Sequence, residues 1–387
     1  MSVNNKLQVN LEENLALEKW DNNDLAKVRI RLLRGHLDSV NSCQFIEDAD
    51  IVFSASSDCS VKLWNFRTGE SIKSFNELHN NTITQAHCKP DGSRFLSCGL
   101  DKKLKYVDVE TGKCILDKNH TDFLTCCRIS HNGKLISVGS DLNNSLTIYD
   151  VESGDTVCEL KDYHKSTITS IKFSPSDDKV ITTSRDYTAK FFDLVTSTNT
   201  ISLEGHINVV ADCDITNDER NCATASWDKT IGVWDVSTGM YRSKGPTVLK
   251  GSHDGSVSCC QFSNDGLLLV TGSNDNSIVV WDLVNNTQKL KLQGHTDWIN
   301  AVNFSQDQKW LLSCSKDKTI RLWNLEESDK IPMVLESKKA VRVVKCTTCS
   351  KPFSLSQLEA FQDVTVCVFC RLNSPEKSWL IFNEADE

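Results

Sequence analysis

Seven histidines set the frame for everything else in this 387-residue chain. His36, His79, His120, His164, His206, His253 and His295 recur at intervals of 43, 41, 44, 42, 47 and 42 residues. Each opens a stretch that closes on an aromatic residue followed by Asp or Asn. Trp64-Asn65, Trp234-Asp235, Trp281-Asp282 and Trp323-Asn324 stand 28 residues after their histidines, and so does Phe192-Asp193. Two copies depart from this. Val107-Asp108 keeps the distance from His79 but loses the aromatic, and Tyr149-Asp150 arrives one residue late, which puts an insertion in the 141–145 region. A fixed period of this length means one supersecondary unit copied along the chain, each copy covering the apolar face of the next.

The seventh copy shows what the unit is. Trp298–Phe304 alternates polar and apolar, Trp310–Cys314 and Thr319–Trp323 are short apolar runs, and Ser305-Gln-Asp-Gln and Lys316-Asp-Lys separate them as turn signals. A fourth run precedes the histidine, as in Gln288–Leu292 and Thr247–Lys250. Short runs at even spacing read as antiparallel strands, and four of them per copy make one blade of an all-β propeller. Before the first histidine lies Val28-Arg-Ile-Arg-Leu, an alternating segment with no blade of its own.

Composition narrows the class. The formal charge of −9 disfavours binding of nucleic acid or anionic membrane by the chain as a whole. No apolar run approaches the roughly 18–20 residues of a membrane span, and the opening MSVNNKLQVN has neither the basic nor the apolar region of a secretory leader. The expected setting is cytoplasmic or nuclear, with most of the 17 cysteines present as thiols or metal ligands. Cys43, Cys127, Cys213 and Cys260 each lie seven residues after a repeat histidine, where other copies have Ala86, Ile171 and Val302, so they read as small buried hydrophobes.

The GH…WD pattern over Gly35 to about Leu325 resembles the WD40 repeat family. A fainter likeness is to the PQQ-and-WD-repeat-containing proteins. The resemblance implies a seven-bladed propeller over residues 27–335, between an N-terminal arm (1–26) and a C-terminal segment (336–387). It implies that the strand near 28–33 completes the last blade, with 331–335 competing for the slot. It also implies a buried hydrogen-bonded tetrad per blade: His36-Ser56-Asp58-Trp64, His206-Ser226-Asp228-Trp234, His253-Ser273-Asp275-Trp281 and His295-Ser315-Asp317-Trp323. Copies two and three depart, with Gly99 in place of the expected Ser and with Ser140-Asp141 adjacent. Near-copies of one His/Ser/Asp set in every blade are structure, and with seven of nine histidines so used, no catalytic residue is assigned. No nucleotide-binding, zinc-protease or nucleophile-elbow motif occurs.

The tail carries a second signal. Cys346-Thr-Thr-Cys349 and Cys367-Val-Phe-Cys370, seventeen residues apart, have the spacing of a closed structural Zn2+ site. The alternatives are disulfides, a rubredoxin-type iron site and free thiols. The segment is too small for its own core, so a metal staple makes physical sense. Lys338, Lys339, Arg342, Lys345 and Lys351 run through it without an intervening acid.

In WD40 proteins, partners often bind the face carrying the residue before each tetrad Asp and the third residue after each repeat His. Carried over, those positions include Phe123, Arg185, Val209, Trp227, Trp298 and Lys316. Aromatic and Arg side chains dominate interface energies. The expected function is therefore a non-catalytic scaffold for a protein or peptide, with one structural zinc module as second contact or cap. The alternatives are a nucleic-acid or ribonucleoprotein factor using the basic tail, and a ubiquitin-ligase substrate adaptor.

Overall fold

The computed structural model describes residues 28–46, 50–237 and 245–326, and the backbone of Val343–Lys345 and Pro352–Ser354. The chain divides into two compact units, Met1–Ile331 and Pro332–Glu387. In the first unit are seven four-stranded antiparallel sheets. The inner strands are Val40–Ile46, Ile83–Cys88, Leu124–Ile129, Ile168–Phe173, Val210–Ile215, Val257–Phe262 and Ile299–Phe304, and each neighbours the next around a closed ring. Arg29–Arg34 pairs antiparallel with Thr319–Asn324 and supplies the outer strand of blade seven. The competing segment 331–335 lies outside the described residues.

Arg29–Arg34 closes the ring by burying side chains on both sides. Ile30 packs in the core between blades six and seven, and Leu33 in the core between blades seven and one. The Arg31 guanidinium donates to the carbonyls of Phe66 and Arg67 in blade one. The apolar residues form seven separate clusters, one at each junction between blades. Cys43, Cys127, Cys213 and Cys260 sit in these clusters, and Cys126 faces the opposite side of its sheet from Cys127. All thirteen described cysteines are free thiols.

A second set of bonds ties the inner strands together. Every inner strand carries a β-bulge at the fifth residue after the repeat histidine. A bulge re-aims a side chain, and here it points at the next blade. Asn41 donates to Ile83 O (2.7 Å), Thr84 to Leu124 O (2.8 Å), Thr125 to Ile168 O (2.6 Å), Thr169 to Val210 O (2.5 Å) and Asn300 to Val40 O (2.8 Å). Ser258 bonds Ile299 O in the same way. Only Ala211 in blade five has no hydrogen-bonding group at this position.

The tetrads are present, with one correction. The hydroxyl shared by the two rings lies 18 residues after the histidine, not 20. Trp64 Nε1 donates to Ser54 Oγ (2.8 Å), and Ser54 Oγ lies 2.8 Å from His36 Nε2. His36 Nδ1 lies 2.9 Å from Asp58 Oδ2. Thr224, Thr271 and Ser313 play the same part beside Trp234, Trp281 and Trp323. Ser56, Ser226 and Ser315 instead bridge two main-chain groups, and Ser273 Oγ accepts from Asp275 N; Ser315 Oγ donates to Asp297 O and accepts from Asp317 N, both at 3.0 Å. Residues two apart on a strand share a face, so both hydroxyls are buried, but only the earlier one lies opposite the indole and imidazole.

The correction also restores blade two. Ser97, buried and 2.9 Å from His79 Nε2, fills the position, so Gly99 does not cost blade two its imidazole contact, although Val107 leaves the blade without the indole. Blade three is degenerate. Asp141 accepts from Thr167 Oγ1 of blade four, His120 bonds the Tyr149 hydroxyl (3.2 Å), and Ser137 Oγ is buried without a partner.

Replacing Ser313 by Ala leaves a buried indole N–H and a buried imidazole nitrogen unpaired, at about 1–3 kcal/mol each. Ser315→Ala strands main-chain groups at the blade's end. Ser313→Ala is therefore expected to lower the urea midpoint more than Ser315→Ala. Equal losses, or the reverse order, would contradict the corrected assignment.

Candidate partner-binding face

In an antiparallel blade, the turn between strands two and three and the crossover into the next inner strand emerge at the same end. The residues singled out by resemblance meet there. The main-chain N–H of Ser57, Leu100, Arg185, Trp227, Asn274 and Lys316 donates to the carbonyl of Ser39, Thr82, Thr167, Val209, Ser256 and Trp298 respectively, at 2.8–2.9 Å. In blade three Asp141 N donates to Phe123 O at 3.0 Å. One hydrogen bond per blade thus joins the two positions all the way round.

The tetrad carboxylates hold these loops. Asp58 Oδ2 accepts from Leu37 N (2.9 Å) and Asp317 Oδ2 from Thr296 N (3.1 Å), with the same contact at Asn80, Lys165, Ile207 and Asp254. The residue after each Asp is driven to positive φ, between 64° and 72° at Cys59, Lys102, Tyr187, Lys229, Asn276 and Lys318. That region is costly for a side-chain-bearing residue. It persists because the preceding Asp bonds back to the loop: Asp317 Oδ1 accepts from Thr319 N (2.9 Å) and Thr319 Oγ1 (2.6 Å). Burial alone would raise the Asp58, Asp186, Asp275 and Asp317 carboxyls. Bonds from His36, His164, His253 and His295, and from the neighbouring hydroxyls, carry them below the usual carboxylate range instead. Burial pushes the His79, His164 and His295 imidazoles down despite their carboxylate partners.

Side chains on this face divide clearly. Trp298 is 48% exposed, Trp227 38% and Phe123 37%. Lys316 Nζ sits 4.4 Å above the Trp298 ring and Lys102 Nζ 5.2 Å from the Phe123 ring, cation–π geometry that fixes both aromatics. Arg185 and Lys316 are exposed. Val209 is a correction: it is buried, 8% exposed, and its carbonyl rather than its side chain serves the face. The exposed apolar groups nearby are Ile207 (84%) and Leu37 (80%), each directly after a repeat histidine. Sequence reasoning passed over them, although an apolar residue where other copies carry Asn80, Lys165, Asp254 and Thr296 was a readable signal.

Cys346, Cys349, Cys367 and Cys370 lie outside the described residues. What is described beside them is a hairpin: Val343–Lys345 pairs antiparallel with Pro352–Ser354, in the register Lys345↔Pro352. Its connection spans 346–351, the stretch that contains the first Cys-x-x-Cys.

The seven sheets agree with the family comparison. The model of the WD40 family, described as WD domain, G-beta repeat, matches residues 27–65, 69–108, 112–150, 155–193, 197–235, 246–282 and 286–324. Human WD repeat-containing protein 88 is 35% identical over 361 residues, covering 92% of this chain and 76% of that protein. Periodic tryptophan protein 2 of Arabidopsis thaliana is 23% identical over 227 residues, 56% of this chain and 24% of its own length. Apoptotic protease-activating factor 1 of Danio rerio is 29% identical over 216 residues, 54% of this chain and 16% of its own. The chain belongs to the WD40 repeat family, whose propellers typically serve as protein-interaction scaffolds.

Proposed function

We propose that this protein is a non-catalytic scaffold of the cytoplasm or nucleus that docks a protein or peptide on the tetrad-anchored face. The observation that carries the reading is the combination of rigid loops and exposed anchors. Trp298, Trp227 and Arg185 stand on connections held by buried carboxylates, so little ordering entropy is lost on binding, and Phe123 is exposed on the same face. Affinity purification of wild type beside the Trp298→Ala/Arg185→Ala variant, with bound proteins identified by mass spectrometry, tests it. The variant is expected to lose at least one specific partner while keeping the wild-type melting temperature. An unchanged set of partners would overturn the face assignment.

We further propose that Cys346, Cys349, Cys367 and Cys370 bind one structural Zn2+ and that this module is a second contact for the partner. The antiparallel pairing of Val343–Lys345 with Pro352–Ser354, on either side of the first Cys pair in sequence, supports this, because two residues between cysteines let both sulfurs reach one ion. The human relative also matches more of the chain than the seven repeats occupy. Protein purified without chelators is expected to carry about one equivalent of zinc, and Cys367→Ser/Cys370→Ser to carry none. Metal-free wild type would refute the site.

A further inference from the structure

A channel of about 1200 Å3 runs through the ring and is lined by the inner strands of all seven blades. The eighth residue after each repeat histidine borders it: Gln44, His87, Arg128, Lys172, Asp214, Gln261 and Asn303. In four blades this residue offers an oxygen to a main-chain N–H of the next blade. Gln44 accepts from Cys88 N (3.1 Å), Asp214 from Phe262 N (2.8 Å), Gln261 from Phe304 N (2.6 Å) and Asn303 from Phe45 N (3.1 Å).

Blades two, three and four break the rule consecutively, with His87, Arg128 and Lys172. The N–H groups at the matching register in the following blades belong to Ile129, Phe173 and Ile215. Guanidinium and ammonium groups have no lone pair to give, so Arg128 and Lys172 cannot cap these N–H groups as the residues of the other four blades do. His87 Nδ1 is buried without a partner. Lys172 reaches Asp214 Oδ1 at 3.3 Å. Arg128 forms no ion pair among the described residues, and Asp212 and Asp214 act on it only at longer range. Those acids are already engaged. Asp212 takes Ser170 Oγ (2.7 Å) and Cys260 N (3.1 Å), and Asp214 takes Lys172 and Phe262 N. His131, the other histidine outside the repeat set, also lines the channel and pairs with Asp177 at 3.0 Å.

A wall with surplus donors and one cation outside ion-pair distance of any described acid calls for a ligand that is all acceptor. We propose that Arg128, Lys172 and His87 form a channel site for a phosphate-type oxyanion, free or carried on a small molecule. The Arg128 fork supplies two parallel donors, a geometry that suits phosphate oxygens. Strand N–H groups beside it add fixed positive dipoles. The site stands on a different part of the ring from the face proposed for the partner, and neither depends on the other.

Arg128→Gln tests it, because glutamine is what blades one and six carry at this position. It can cap Phe173 N–H, and it removes a half-buried charge that has no ion-pair partner among the described residues, so the variant is expected to fold at least as stably as wild type. Isothermal titration calorimetry of the full chain with inorganic phosphate, and separately with glucose 6-phosphate, should give saturable binding of at least one of them. Arg128→Gln should weaken it by about tenfold or more, a loss of about 1.4 kcal/mol, and Arg185→Gln should leave it unchanged. Binding of the sugar phosphate alone assigns the carried source, and binding of both the free anion chemistry. His87→Gln makes the same test should Arg128→Gln misfold. No saturable heat from either ligand, or heat undiminished in the channel variants, would overturn the proposal.

Discussion

One shared hydroxyl organises each intact blade. In blade one, Ser54 Oγ accepts the Trp64 indole N–H and donates to His36 Nε2, which leaves Nδ1 to donate to Asp58. The chain runs from the buried middle of the sheet to its exposed end, and it satisfies four polar groups that would each be costly to bury alone. Because its last member also accepts a loop N–H, the packing of the sheet and the placement of the surface loop are a single arrangement. In the six blades with a His–Asp contact, the carboxylate is spent on architecture.

Between blades, the forces are different. Apolar clusters fill the junctions, while the bulged residue of six of the seven inner strands bonds the next strand's carbonyl across the channel wall. The ring then needs only one further element, an outer strand for blade seven, and Arg29–Arg34 provides it from the other end of the sequence. That closure gives every blade four strands and leaves only the short outer edges of a propeller. Local departures fall where one of these devices is missing: blade three lacks its His–Asp contact, and blade five has Ala211 in place of a latch.

The period and the blade count were legible because they depend on spacing, and spacing survives substitution; the closing strand came from the family resemblance, with 331–335 as a competitor. Identifying the hydroxyl was harder. Ser54 and Ser56, Thr224 and Ser226, and Ser313 and Ser315 are all buried on the same face of their strands, so pattern alone does not distinguish them. Only the distances to indole and imidazole do. Val209 was misjudged for a related reason, since position in the repeat marks the backbone contact and not the direction of the side chain. The latch residues Asn41, Thr84, Ser258 and Asn300 escaped notice because they share a hydrogen-bonding capacity and not a residue type. The channel triad escaped for the opposite reason, being an exception to a rule that becomes visible only once the other four blades are seen bonding.

The account's central claim is that buried carboxylates hold the exposed loops of the face. Residue-resolved hydrogen exchange tests this most directly. The amides of Leu37, Asn80, Lys165, Ile207, Asp254 and Thr296 belong to surface residues yet donate to tetrad carboxylates. They should exchange slowly, while Thr121 in blade three, whose Asp141 is turned to Thr167, exchanges fast. Rapid exchange at all seven positions would show loops that are merely tethered, and would remove the basis for a preformed docking face.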